Sequence, residues 1–357
     1  RCIVCFLFLV LTATAAVPAV RADTHFVSTT GADSGDCTVT PCATIAYAIG
    51  QATAGDDVAL EDGTYTESAV VNVGITIRGQ GSGTTIVQAA ATRDAATDRV
   101  FSVTAVSVTF EDLTVQHGNF GGEGGGIWVS GTGGLTLRRV VVRDNLGASG
   151  GGIGSRGSLT LHDTTVDDND ATSSGGGIYL TLGGTLQAYT STISRNQAQF
   201  GGGVYFGSGA HTVETSTVSG NTATSTGGGV YVNSGSATLQ HATVASNTGT
   251  TFGGGLYGNA GTTFGAQNTL VADNQAGSGG ADCFGTIDSQ GYNLIEQTAS
   301  CTIDGDATGN VTGTDPMLAA LADTGGLTEI HLLQAGSPAA DAIPSLTSGC
   351  GDVFTLD

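Results

Sequence analysis

An all-β fold, a single-stranded right-handed parallel β-helix of about 26 residues per coil with a short N-terminal capping helix, is what this 357-residue sequence predicts. Three observations predict it. Glycine triplets followed by an aliphatic residue recur at Gly124, Gly150, Gly175, Gly201, Gly227 and Gly253, with a degenerate copy, GGAD, at Gly279; the steps are 26, 25, 26, 26, 26 and 26 residues. A second marker, aliphatic-x-x-Asn, keeps the same beat at Asn145, Asn169, Asn196, Asn221, Asn247 and Asn274. Between the markers, large apolar residues alternate with small or polar ones, the mark of strands with one face inside. A fixed period of roughly 20–50 residues means a solenoid, propeller or array. A propeller blade needs about 40 residues, and glycine breaks every segment long enough for a helical repeat. One period therefore makes one coil.

Within the copy that starts at Gly175, the strands read as Ile178-Tyr179-Leu180, then Thr185-Leu186-Gln187, then Ser191-Thr192-Ile193, closing at Asn196. Coils stacked about 4.8 Å apart place equivalent residues on top of one another. Val142, Val166, Ile193, Val218, Val244 and Val271 then form an interior aliphatic ladder. The asparagines form a stacked amide ladder at a turn where a left-handed backbone and side-chain hydrogen bonds are useful. The glycines permit positive φ and close approach of backbone between coils.

The ends are less regular. Thr40-Pro41 reads as an N-cap with proline at the first helical position; Ile45, Ala48, Ile49 and Ala52 then share one face before Gly55. This short helix covers the edge of the first coil, which would otherwise invite association. Val58-Ala59-Leu60, Ile75-Thr76-Ile77 and Thr85-Ile86-Val87 read as early coils, with Asp62 and Glu67 as surface turn residues around Gly63-Thr64-Tyr65. The organisation expected is a signal peptide at 1–22, an N-terminal cap and irregular coils at 23–98, the regular β-helix at 99–310, and a truncated C-terminal cap or tail at 311–357.

The signal peptide rests on the apolar run from Cys2 to Ala16 and on Val20 and Ala22, which fit the small-residue rule before a cleavage site. The run is shorter than the ~20 residues of a membrane span. Export permits disulfides, and local pairing gives Cys37–Cys42 and Cys283–Cys301, leaving Cys350 over. Cysteine zinc ligation is the competing reading, and it lacks paired CxxC motifs and nearby histidines. The remaining composition excludes several classes. With 59 glycines but 5 prolines and no Gly-X-Y period the chain is not collagen, and 39% hydrophobic residues argue against disorder. A net charge of −21 argues against nucleic acid as a partner.

The triplet and asparagine markers are similar to the GGAI/FxxN repeats of polymorphic outer-membrane proteins. Across GADSGDCTVTPCATIAYAIGQATAGDDVALEDGTYTE, ADCFGTIDSQGYNLI and DPMLAALADTGGLTEIHLLQAGSPAADA, the chain resembles bacterial surface proteins with right-handed β-helix repeats and a choice-of-anchor Q type C-terminal region, within the pectin-lyase-like superfamily. The resemblance implies an exported, surface-associated protein, and it implies that a DxRG-like and DIGA-like ending is missing after SGCGDVFTLD.

That superfamily contains polysaccharide lyases, which neutralise a uronate, commonly with calcium, and take a proton with Lys or Arg. The chain has no lysine. The best remaining catalytic candidates stack Asp144, Asp168 and Arg195 before their asparagines; Asp144, Asp167, Asp168 and Asp170 are the candidate calcium ligands, since neighbouring carboxylates repel unless a cation joins them. The polygalacturonase signatures and a nucleophile elbow are not found. Thr165, Thr192, Thr217 and Thr243 point outward as a hydroxyl array. Tyr179, Tyr205, Tyr231 and Tyr257, with Trp128 in the equivalent place, form a candidate binding column for a glycan or cell-surface component. The reading at this level is a monomeric, secreted or cell-surface β-helix with a structural, adhesive or carbohydrate-binding role, no recognised catalytic set and no cofactor unless calcium; the alternative is a calcium-dependent polysaccharide lyase.

Overall fold

The computed structural model describes residues 22–104 and 106–343. The proposed signal peptide, all but its last residue, and Cys350 lie outside the described residues. Every pairing between named strands is parallel, as between Ile127–Ser130 and Ile153–Ser155, Gly134–Arg138 and Ser158–His162, or Val141–Arg143 and Thr165–Asp167. The chain thus climbs one coil per repeat.

Each regular coil has four short strands where the sequence reading gave three. The fourth, such as Leu146–Ser149, lies between the asparagine and the next glycine triplet and pairs with Asp170–Ser174. Its residues, Leu-Gly-Ala-Ser, look like turn, and the neighbouring coils supply the order. We number the faces in chain order from the strand after the triplet. The fourth face is a 7-stranded sheet, the third an 11-stranded sheet, and the first and second merge into a 20-stranded sheet through the long strand Cys283–Gln290.

The interior follows from alternation. Val142, Val166, Ile193, Val218, Val244 and Val271 are fully buried, as are Phe101, Phe110, Phe206 and Phe264. The asparagine ladder is a continuous amide chain. Nδ2 of Asn145 donates to Oδ1 of Asn169, and the pattern repeats through Asn196, Asn221, Asn247 and Asn274 at 2.9–3.0 Å. Each Nδ2 of Asn169 to Asn274 also donates to a backbone carbonyl of the preceding coil. The left-handed residue is the one before each asparagine: Asp144, Asp168, Arg195, Gly220, Ser246 and Asp273 have φ between 51° and 67°.

The glycine triplet and the asparagine keep one beat because they touch. A Cβ on the third glycine would meet the amide of the ladder asparagine, at 2.9 Å for Gly177 against Asn196 and 3.0 Å for Gly152 against Asn169. The first glycine has positive φ, 64° at Gly175 and 74° at Gly227, and its bare Cα makes room on the outer side. The degenerate copy is shifted by one residue from the expected Gly279: Leu256 pairs with Cys283, so Gly280-Ala281-Asp282 is in register with the triplet. Asp282 replaces the third glycine and is fully buried. Its Oδ1 accepts from N and Nδ2 of Asn274 at 3.2 and 2.9 Å, and its Oδ2 accepts from N of Gln297 at 2.7 Å. The carboxylate ends the amide chain.

At the N-terminus the helix spans Ile45–Gln51 and buries Ile45, Ala48 and Ile49. Its cap is Thr44, which accepts from N of Tyr47, not Thr40 before Pro41; those two belong to the loop closed by Cys37–Cys42, with Cα atoms 5.3 Å apart. Glu67 is more than a surface turn residue, since its two carboxylate oxygens accept from N of Ile45 and N of Ala46 at 2.9 Å each. An acid at a helix start satisfies orphan donors and complements the dipole. The second expected disulfide, Cys283–Cys301, is also formed, with Cα atoms 5.5 Å apart. Among the described residues no helix is long and apolar enough to cross a membrane.

Candidate functional site

The aromatic column stands where the first and fourth faces meet at the glycine corner. Register aligns Trp128, Gly154, Tyr179, Tyr205, Tyr231, Tyr257 and Phe284. The sequence reading took the tyrosines and Trp128 and missed Phe284, hidden by the one-residue shift. Ring centroids are 5.3 Å apart for Tyr179–Tyr205, 4.9 Å for Tyr205–Tyr231 and Tyr231–Tyr257, and 5.2 Å for Tyr257–Phe284. From the fourth face, Phe200 meets Tyr231 edge-on at 6.0 Å and Phe252 meets Phe284 at 5.1 Å. A Cβ on Gly227 would lie 2.8 Å from Cβ of Tyr231. Gly175, Gly201, Gly227 and Gly253 therefore make room for the tyrosines just as the third glycine makes room for the asparagine.

The column is half-buried: ring faces are spent on neighbouring rings, and edges and hydroxyls look outward. Burial, reinforced by Tyr231 and Tyr179, pushes the Tyr205 phenol up to about 12; burial also raises Tyr231, against a hydrogen bond to Asn259 that lowers it. Both hydroxyls stay protonated at neutral pH and can donate. Hydroxyl of Tyr231 donates to Oδ1 of Asn259 at 3.3 Å, and Nδ2 of Asn259 donates to Oδ1 of Asn233 at 2.9 Å. The corner thus presents a strip of phenols and amides over an aromatic floor.

The acidic candidates lie elsewhere, along the turn between the third and fourth faces. Asp144, Asp168 and Arg195 are its left-handed residues, a position that Asp tolerates better than most residues. Arg93 bridges Asp144 at 3.5 Å and Asp170 at 2.7 Å, and Nε2 of His117 lies 3.0 Å from Asp144. Arg195 is 2.8 Å from Asp167 and 2.7 Å from Glu329. Burial alone would lower the Arg195 pKa, but the hydrogen bonds to Asp167 and Glu329 raise it, the opposite of what a general base requires. Asp168 makes no ion pair among the described residues; burial and then Asp167, Asp144 and Asp170 raise its pKa, against Arg93. Arg93, Arg195 and His117 thus pair with Asp144, Asp167 and Asp170. Among the described residues no three His, Cys, Asp or Glu side chains group as a metal site.

The threonine array is not a free surface. Thr192 and Thr217 are buried, because the segment after the last coil returns along the third face. Oγ1 of Thr192 donates to the carbonyl of Glu329 at 2.7 Å, and Ser219 bonds Nε2 of His331 at 2.8 Å. Antiparallel bridges Leu318–Leu333 and Ala322–Ile330 fold this segment on itself. Contacts across more than a hundred residues leave no local trace in sequence.

Residues 66–276 match the family described as Right handed beta helix region, and the chain belongs to that family. No curated protein matches it. Among solved structures it is similar to pectate lyase Pel9A, with a TM-score of 0.59 over 90% of this chain and 91% of that one at 14% identity. The likeness is one of fold alone, a right-handed parallel β-helix.

Proposed function

We propose that this chain is an exported β-helix protein of the cell surface that holds an extended glycan in the aromatic corner from Trp128 to Phe284. The column of outward aromatics, unbroken from Tyr179 to Phe284 and edged by protonated phenols and by Asn233 and Asn259, carries the reading. Carbohydrate sites combine aromatic surface with a few placed polar groups, and a solenoid offers such a surface along its length. The apolar leader and two disulfides support export. The likeness to surface proteins with a choice-of-anchor Q type C-terminal region supports a location at the cell surface.

The test is retention of the mature chain by insoluble polysaccharides. Retention lost in Tyr205→Ala/Tyr231→Ala, with unchanged unfolding, supports the reading; retention by that variant equal to the native chain refutes it. Uronate polysaccharides incubated with and without calcium complete the test. Unsaturated products that vanish in Arg195→Ala would make the chain a lyase instead.

A further inference from the structure

The chain enters its first coil over a buried carboxylate. The strand Thr24–Val27 pairs in parallel with Asp57–Leu60, and the residue before it, Asp23, is tied down at both backbone groups. Its carbonyl accepts from N of Asp57 at 2.9 Å, and its N donates to Oδ1 of Asp56 at 2.9 Å. Asp56 is 4% exposed. Its Oδ2 accepts from N and Oγ1 of Thr53, just past the helix, at 2.7 and 2.9 Å, and Nε2 of His25 lies 3.3 Å away. Nδ1 of that histidine is 2.6 Å from the carbonyl of Asp36, at the mouth of the Cys37–Cys42 loop. Burial would raise the Asp56 carboxyl, but hydrogen bonds from Thr53, Asp23 and His25 pull it down to about 2. Asp56 is therefore an anion at neutral pH, and His25 is its one ion-pair partner among the described residues. Asp23 is also the residue that follows Ala22, where the small-residue cleavage signature of the leader ends.

We propose that Ala22–Asp23 is the bond cut on export, and that Asp56 is the capture site for the α-ammonium of Asp23 which the cut creates. The inference rests on the export reading above and adds where the leader is cut and what the new terminus binds. Hydrolysis consumes one water: the carbonyl of Ala22 leaves with the leader as a carboxylate, and the nitrogen of Asp23 stays behind as –NH3+. Before the cut, Asp56 faces a neutral amide with one hydrogen and no charge. After it, the same contact joins opposite charges and is roughly twice as strong. The other two hydrogens of the ammonium are left to water, since Asp23 is exposed. A buried carboxylate is costly until a cation answers it, and the new terminus supplies one beside His25. The first strand, Thr53 after the helix and the Cys37–Cys42 loop through His25 all meet at Asp56, so removal of the leader tightens the cap of the solenoid.

The sequence contains no lysine, so the α-amine is the one primary amine of the mature chain and an acylating reagent reports on it alone. The full chain is expressed with its leader, and the exported protein is read by intact mass and N-terminal sequencing; its first residue should be Asp23. Acetylation at about pH 7.5, just below the ordinary α-amino range, is then timed in the folded chain and in the same chain unfolded in urea. The folded amine should react about tenfold more slowly or less, because a neighbouring carboxylate holds the proton that acylation requires it to lose. Asp56→Asn should return the folded rate to within about threefold of the unfolded one. A chain whose first residue is Ala22 moves the amine off Asp56 and should react as it does unfolded; it decides the matter if Asp56→Asn fails to fold. Equal folded and unfolded rates in the native chain, or a slow amine that neither variant releases, overturn the capture site and leave export standing. An exported chain that begins at another residue overturns the cleavage bond and the capture with it. A chain retained with its leader uncut overturns the export reading as well.

Discussion

Removing one amide from the buried ladder should cost more than removing most core methyls. Asn196 is fully buried. Its Nδ2 donates to the carbonyl of Val166 and to Oδ1 of Asn221 at 2.9 Å each, and its Oδ1 accepts from N and Nδ2 of Asn169 at 3.0 Å. In Asn196→Ala the amide N–H of Asn169 loses its partner and the carbonyl of Val166 loses this donor, while the side chain of Asn169 keeps the carbonyls of Val142 and Asp167. At about 1–2 kcal/mol for each of these two groups, the loss is about 2–4 kcal/mol, a large share of the ~5–15 kcal/mol of a typical domain. Urea unfolding followed by far-UV circular dichroism reads it as a fall in midpoint, with Gln197→Ala, an exposed neighbour, as control. Asn196→Asp should be no better, because a carboxylate would face the carbonyl of Val166 and Oδ1 of Asn221 with no hydrogen to give. A loss below about 1 kcal/mol at unchanged m-value would refute the view that the amide chain holds the coils in register.

Three further outcomes follow from the same geometry. Burial raises the Asp282 carboxyl from 3.8 to about 6 against its hydrogen bonds; its contribution is full below about pH 3.8 and lost as pH rises through 6. Stability of the native chain relative to Asp282→Asn should therefore fall by about 3 kcal/mol over that window, and a constant difference would refute it. His211, stacked on Phe206 with centroids 3.8 Å apart, is lowered by burial from 6.5 to about 4, so the sign reverses: its contribution is present above pH 6.5 and lost as pH falls through 4. His211→Phe should gain up to about 3 kcal/mol over the native chain toward pH 4, read from urea midpoints at stepped pH; equal pH profiles contradict this. Replacing Cys283 and Cys301 by serine opens a loop of 18-residue separation and should cost about 3 kcal/mol by chain entropy, measured as the difference in urea midpoint; replacing Cys37 and Cys42, separated by 5, should cost less.

The fold was legible because its determinants repeat. Triplets, asparagines and inward aliphatics each recur once per coil, so a single period exposes the architecture even though any one copy is ambiguous. The tyrosine column was legible for the same reason, and the two disulfides because each joins cysteines close in sequence. What escaped was whatever depended on register or distance. Asp282 looked like decay of the repeat until the shift to Gly280 placed it in the third-glycine slot. The left-handed residues beside the ladder explain why Asp144 and Asp168 resemble an acidic site: backbone conformation calls for Asp there as much as chemistry does. Thr192 and Thr217 alternate outward as expected, yet they are covered by a segment that contributes Glu329 and His331 from far along the chain. Thr44 displaced Thr40 as the helix cap because Cys37–Cys42 ties the preceding residues into a loop.

A crystal structure of the mature chain soaked with the tetrasaccharide it binds most tightly tests the central claim most directly. The sugar is expected in the corner between Trp128 and Phe284, along the outward edges of Tyr179, Tyr205 and Tyr231. Sugar bound instead over Asp144, Asp168 and Arg195, with the aromatic corner empty, would contradict it.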